Sequence, residues 1–188
     1  MKDGVCDMKN VLVAMFVFVF FTMTQAFAYN YKTFTSDAKI VASLQLLEQS
    51  GEHDVFANLR KNAVKIKFHH LSYGNVYAAN AYDEFGRRVI LINSIYKNAP
   101  IEQIACLIAH ESCHTARVAT LEEETTATSK EASCWCKLKK NGVTYPETKL
   151  TKRLNKIANL HIASADGNNY IGDKIASSSF YRAQFGLN

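Results

Sequence analysis

The sequence predicts an α+β fold in which a small antiparallel sheet packs on helices. Two observations predict it. Val64, Ile66 and Phe68 alternate with Lys65 and Lys67, and two further strand-like runs, Val76 to Tyr82 and Arg88 to Asn93, follow soon after. Before and after this block the apolar spacing becomes helical, so strands and helices are segregated along the chain as an α+β domain requires.

Residues 1–28 read as an export signal ahead of a single domain, 29–188. Lys9 precedes the apolar run Val11 to Phe21, and Ala26-Phe27-Ala28 offers the small residues a signal peptidase needs, with cleavage before Tyr29. The run is too short to span a bilayer, which takes about 20 apolar residues, so no stable membrane anchor is expected after cleavage. The protein is expected in the periplasm or outside the cell. Removing the signal takes away two basic and two acidic residues, and the net charge stays at +5. That charge is spread along the chain, which argues for a solvated surface and against a nucleic-acid partner.

The first helix is expected from a cap at Thr35 or Ser36 to about Ser50, with Ile40, Val41, Leu44 and Leu47 inward and Gly51 as its stop. A short helix should cover Asp54 to Asn62. Of the strands, Val89 to Ile92 is continuously apolar and reads as central, whereas Tyr77 to Asn80 reads as an edge. Gly86 supplies the residue of positive φ that closes the two into a hairpin. His69 and His70, at the end of the first strand, read as structural or exposed.

Pro100 then opens a helix whose end reads I-A-C-L-I-A-H-E-S-C-H. His110 and His114 are four residues apart, so on a helix they share a face and can hold one metal ion. Glu111 lies about 100° round the helix from His110, placed to hydrogen-bond a water at the metal without being a ligand. Burying two imidazoles and a carboxylate in so apolar a helix is costly without such a partner.

After a turn at Thr115 to Ala119, Thr120 and Glu123 form a capping box that starts the next helix, expected to run to about Lys140 before Asn141-Gly142. Glu124, Ala127, Glu131, Cys134, Trp135 and Leu138 share one face of it. Among its acids, Glu122 and Glu123 have ordinary uses in the first turn. Glu131 lies two turns beyond Glu124, about 10 Å along the axis, opposite Leu107 and away from the histidines, with no Lys or Arg on its face. Glu124 is therefore the expected third ligand. Antiparallel helices joined by a short turn bring together residues whose numbers sum to a near constant. Cys106 and Cys134 fit that register and are the expected disulfide, with Cys113 and Cys136 free. Glu147 to Ile162 reads as a further helix carrying Leu150, Leu154, Ile157 and Ala158, followed by a turn at Asp166 to Asn169 and one or two short helices.

With Asn80-Ala81-Tyr82 on the edge strand, the HExxH helix and Glu124-x-x-Ala127 on the next, the chain resembles the gluzincin zinc metallopeptidases, the thermolysin-like clan, in a minimal form similar to the CAAX-prenyl-protease type. The resemblance covers about Val64 to Leu138. It implies a zincin-like fold, one Zn²⁺ held by His110, His114 and Glu124, and Glu111 as general base in peptide-bond hydrolysis. It also implies that Asn80 and Ala81 bind the backbone of a peptide or protein substrate. His161 and Tyr181 are candidates for stabilising the transition state. The family often has Asp directly after E-x-x-A, where this chain has Thr128, and its better known members have a longer link than the nine residues between His114 and Glu124. Two other readings are an exported protein that holds zinc without turnover, and a secreted effector or toxin protease on the same fold.

Overall fold

The computed structural model describes residues 30–72, 76–164 and 169–186. The chain separates into two units, Met1–Asn30 and Tyr31–Asn188. The expected export signal lies outside the described residues, as does most of the turn at 166–169, and the architecture below is that of the second unit.

Among the described residues, seven α-helices and one three-stranded sheet make an α+β domain. Helix α1 (Ala38–Gln49) is capped by Asp37, whose carboxylate accepts from the N–H groups of Lys39 and Ile40. Thr35, one of the two caps expected, instead accepts from the Asp37 N–H. A full negative charge suits the helix dipole better than a hydroxyl does. Gly51 ends the helix at φ 78°. Helix α2 (His53–Lys61) buries Val55, Phe56 and Leu59.

Strands β1 (Lys65–His69), β2 (Ala78–Tyr82) and β3 (Arg88–Asn93) run in the order β1-β3-β2. The central place of β3 and the edge place of β2 agree with their patterns. The sheet is mixed, however, and not antiparallel as expected. β2 pairs antiparallel with β3 through the Gly86 hairpin, while β1 lies parallel to β3, Ile66 opposite Ile90. The cause is topological. The chain reverses direction after β1 and again after β2, so a β3 inserted between them must run the same way as β1.

Helix α3 (Ile101–Cys113) is the axis of the domain. It packs against α1, α2, β2, β3 and helix α4 (Leu121–Leu138), and every residue from Glu102 to Ser112 is buried. That explains why its sequence has no polar face. Thr120 caps α4 by accepting from the Glu123 N–H. All six residues expected on the inner face of α4 are buried, and Trp135 is wholly so. Burial of a large side chain of this kind contributes about 1.5–3 kcal/mol. Helix α5 (Lys149–Ala163) is tied to α3 by Gln103 donating to Thr151 and to α4 by Trp135 donating to Asn155. Helices α6 (Tyr170–Ala176) and α7 (Ser179–Phe185) complete the domain. No helix among the described residues is long and apolar enough to cross a membrane.

The expected disulfide is absent, and Cys106, Cys113, Cys134 and Cys136 are all thiols. The helix register that suggested the pair is nevertheless right. Cys106 and Cys134 are both buried in the α3–α4 seam, and burial, with Cys134 as a neighbour, raises the Cys106 thiol well above its ordinary pKa.

Candidate metal centre

The site forms where α3 stops. Cys113 is the last helical residue, and His114 is already extended, at φ −71° and ψ 123°. The carboxylate of Glu123 draws the chain out of the helix there. Its Oε1 accepts from the Thr115 N–H at 2.6 Å and from the Thr115 hydroxyl at 3.2 Å. His114 thus sits at the cap and not inside the helix as the motif suggested, but its ring still reaches the face of His110.

His110 Nε2 and His114 Nε2 converge to 3.2 Å. Glu124 completes a triangle, with one carboxylate oxygen 3.7 Å from His110 Nε2 and the other 3.5 Å from His114 Nε2. All three residues are buried, at 7% exposure each. Ligands about 2.0–2.1 Å from a tetrahedral zinc stand roughly 3.3–3.4 Å apart, so the separations fit one ion held by these three side chains. Among the described residues no Lys or Arg pairs with Glu124. A buried carboxylate facing two imidazoles without a cation is the arrangement that a divalent metal relieves.

Each ring is steered from behind by a second carboxylate. Glu131 Oε2 lies 3.0 Å from His110 Nδ1, and Glu123 Oε2 lies 3.5 Å from His114 Nδ1. None of these four atoms has a hydrogen-bond partner besides these contacts. Both contacts favour a proton on Nδ1, which leaves Nε2 free to bind metal. Glu131 is wholly buried and is itself paired with Arg153 of α5. Burial pushes the Glu131 pKa up, but Arg153 and His110 outweigh it and hold the group below the usual carboxylate range. This corrects two expectations. Glu131 faces a histidine and not Leu107, and its cationic partner comes from a different helix. The Glu123 carboxylate, expected to close the capping box onto Thr120, instead accepts from the Thr115 and Ala116 N–H groups, and so orders the α3–α4 turn and His114.

Glu111 is buried beside the cluster, where burial raises its pKa and the charges of His110 and His114 oppose the rise. Asn80 Nδ2 donates to the Glu111 carboxylate and, at 3.0 Å, to its backbone carbonyl. Arg88 donates through Nε to Asn80 Oδ1 at 2.6 Å and through a terminal nitrogen to the same carbonyl. The Asn80 amide, expected on a substrate backbone, is engaged in holding Glu111. Successive strand residues face opposite ways, so Ala81 points away from Glu111 while its backbone lies on the outer strand of the sheet.

Tyr181 comes from α7, and its hydroxyl donates to Glu124 at 3.2 Å. Burial, reinforced by Glu124, pushes the phenol pKa far up, so the group remains a donor. His161 is not brought to the cluster. It lies two turns beyond Arg153 on α5, about 12 Å along the axis. His69 and His70 are exposed at the end of β1.

No family model, curated protein or solved structure matches this chain.

Proposed function

We propose that the domain is a zinc-dependent metallopeptidase of gluzincin type, acting on peptide or protein substrates outside the cytoplasm. The observation that carries this reading is the convergence of His110, His114 and Glu124 on one point beside a buried carboxylate, Glu111, that is not a ligand. A site that only stores metal gains nothing from an adjacent base. The place of action rests on the export-like segment at residues 1–28.

His110, His114 and Glu124 hold the ion. Bound there, zinc would supply a Lewis acid for activating water near neutral pH. Glu111 accepts the proton of the attacking water and returns it to the leaving amine. Asn80 and Arg88 fix the direction of Glu111, and Glu131 and Glu123 fix the rings. Tyr181, whose hydroxyl donates to Glu124, is the candidate for stabilising developing negative charge. An extended substrate pairs along the outer edge of β2.

The test is Glu111→Gln. The amide keeps the shape of the side chain but cannot accept a proton. Wild-type protein should cleave a mixed peptide library, and the variant should retain zinc while losing turnover by several orders of magnitude. Zinc binding with no cleavage by the wild type would favour a non-catalytic zinc protein.

A further inference from the structure

A cleft of about 180 Å³ opens between α4, α5, α6 and α7. It adjoins the metal cluster. Tyr181 forms one wall while its hydroxyl bonds Glu124, and Thr128, one turn after Glu124, forms another. Resting on the peptidase reading, we propose that this cleft is a substrate subsite for an apolar C-terminal residue together with its free carboxylate.

The size, the floor and the rim each select part of that ligand. Sites for whole small molecules typically measure about 300–1,000 Å³, so this cleft suits a single residue. Ile157, Ile171 and Ile175 supply an apolar floor that an aliphatic or aromatic side chain covers. Lys156 and Lys174 stand on the rim, and neither is in an ion pair among the described residues. Among the described residues no acidic one lines the cleft, and the one further cation there, Arg153, is already neutralised by Glu131. Thr128 Oγ1 is buried without a hydrogen-bond partner, which leaves a polar contact for the ligand to make. An acidic side chain within a longer peptide also carries a carboxylate, but it has no apolar body to fill the floor. Apolar side chain and carboxylate coincide on the last residue of a chain.

The experiment uses the full-length, zinc-loaded Glu111→Gln protein, which binds substrate without consuming it, and three fluorescein-labelled tetrapeptides. One ends in leucine as the free acid, one in leucine amide and one in glutamate amide. Fluorescence anisotropy should show the free acid bound roughly five- to tenfold more tightly than either amide, the effect of two exposed ion pairs acting together. Adding Lys156→Ala and Lys174→Ala should bring the three affinities within about twofold. Equal affinities in the parent protein, no binding of any peptide, glutamate amide binding as well as the acid, or a preference that survives loss of both lysines would each overturn the proposal. The wild type separates this result from the parent reading. Preference for the acid without turnover defeats the peptidase assignment and leaves the subsite standing, and turnover without preference does the reverse.

Discussion

His110 Nδ1 and Glu131 Oε2 lie 3.0 Å apart across the α3–α4 seam, and Glu131 is anchored in turn by Arg153. A buried chain of ring, carboxylate and guanidinium therefore links the His110, His114 and Glu124 cluster to α5. Glu131→Gln should lower zinc affinity about 10- to 100-fold, since the amide orients the ring less well. It should also destabilise the fold by about 3 kcal/mol, because Arg153 loses its anion. The two effects separate in the double variant Glu131→Gln/Arg153→Met, which should regain most of the stability and none of the zinc affinity. Denaturant melts of the metal-free proteins, with chelator competition for zinc, measure both. Recovery of zinc affinity along with stability would show that Glu131 serves only the fold.

Asn80 offers a choice between two roles. If its amide holds Glu111, Asn80→Ala should reduce kcat by about 10- to 100-fold with KM and zinc content nearly unchanged, the cost of a misaimed base. If it binds substrate backbone, as the resemblance implies, KM should rise with kcat retained. Steady-state kinetics on one peptide substrate, with zinc measured in the same preparation, decides between them.

Glu123 and Glu124 are neighbours with different duties. Glu124→Ala should abolish tight zinc binding, because it removes a ligand. Glu123→Ala should weaken zinc by about 10-fold, through His114 and the loosened turn at Thr115. Chelator competition on both variants checks the order, and a larger loss in Glu123→Ala would mean the ligand is misassigned.

Glu52 is buried and holds Lys130 and Lys137 together. Burial raises its pKa, but the two ammonium groups outweigh this and leave it below the ordinary carboxylate value. A group depressed in the folded state stabilises above its unfolded pKa, and that contribution is lost as pH falls through the folded pKa. Glu52→Gln should thus cost about 1–2 kcal/mol near neutrality, with the gap to wild type closing below about pH 4. Melting both metal-free proteins from pH 7 to pH 3 tests it. A gap that stays constant with pH would show that the loss is one of packing.

The elements and the His110, His114 and Glu124 cluster were legible in the sequence because each rests on a local pattern. Alternation marks β1, the inner face of α4 repeats with helical period, and His110 and His114 keep their spacing even though the helix ends between them. What sequence did not show depends on contacts between elements. Arg153 meets Glu131 only because α5 packs across α4, and Arg88 reaches Glu111 only because β3 lies against α3. The parallel pairing of β1 follows from the path of the chain and not from any strand's own pattern. Glu131 is the instructive case. Its number and that of His110 sum to about 240, like those of Cys106 and Cys134, so the register that aligns the cysteines also aligns carboxylate with ring. The distance along α4 from Glu124 was the wrong measure, because His110 itself lies one turn deeper in α3 than His114.

Zinc K-edge X-ray absorption on the purified, zinc-replete protein tests the proposed metal site most directly. The spectrum should show one tightly held zinc with nitrogen and oxygen neighbours only, at about 2.0–2.1 Å, and multiple scattering from two imidazoles. Sulfur at about 2.3 Å, which would bring in a cysteine such as Cys113, or failure to retain zinc after dialysis against a weak chelator, would contradict the assignment of His110, His114 and Glu124.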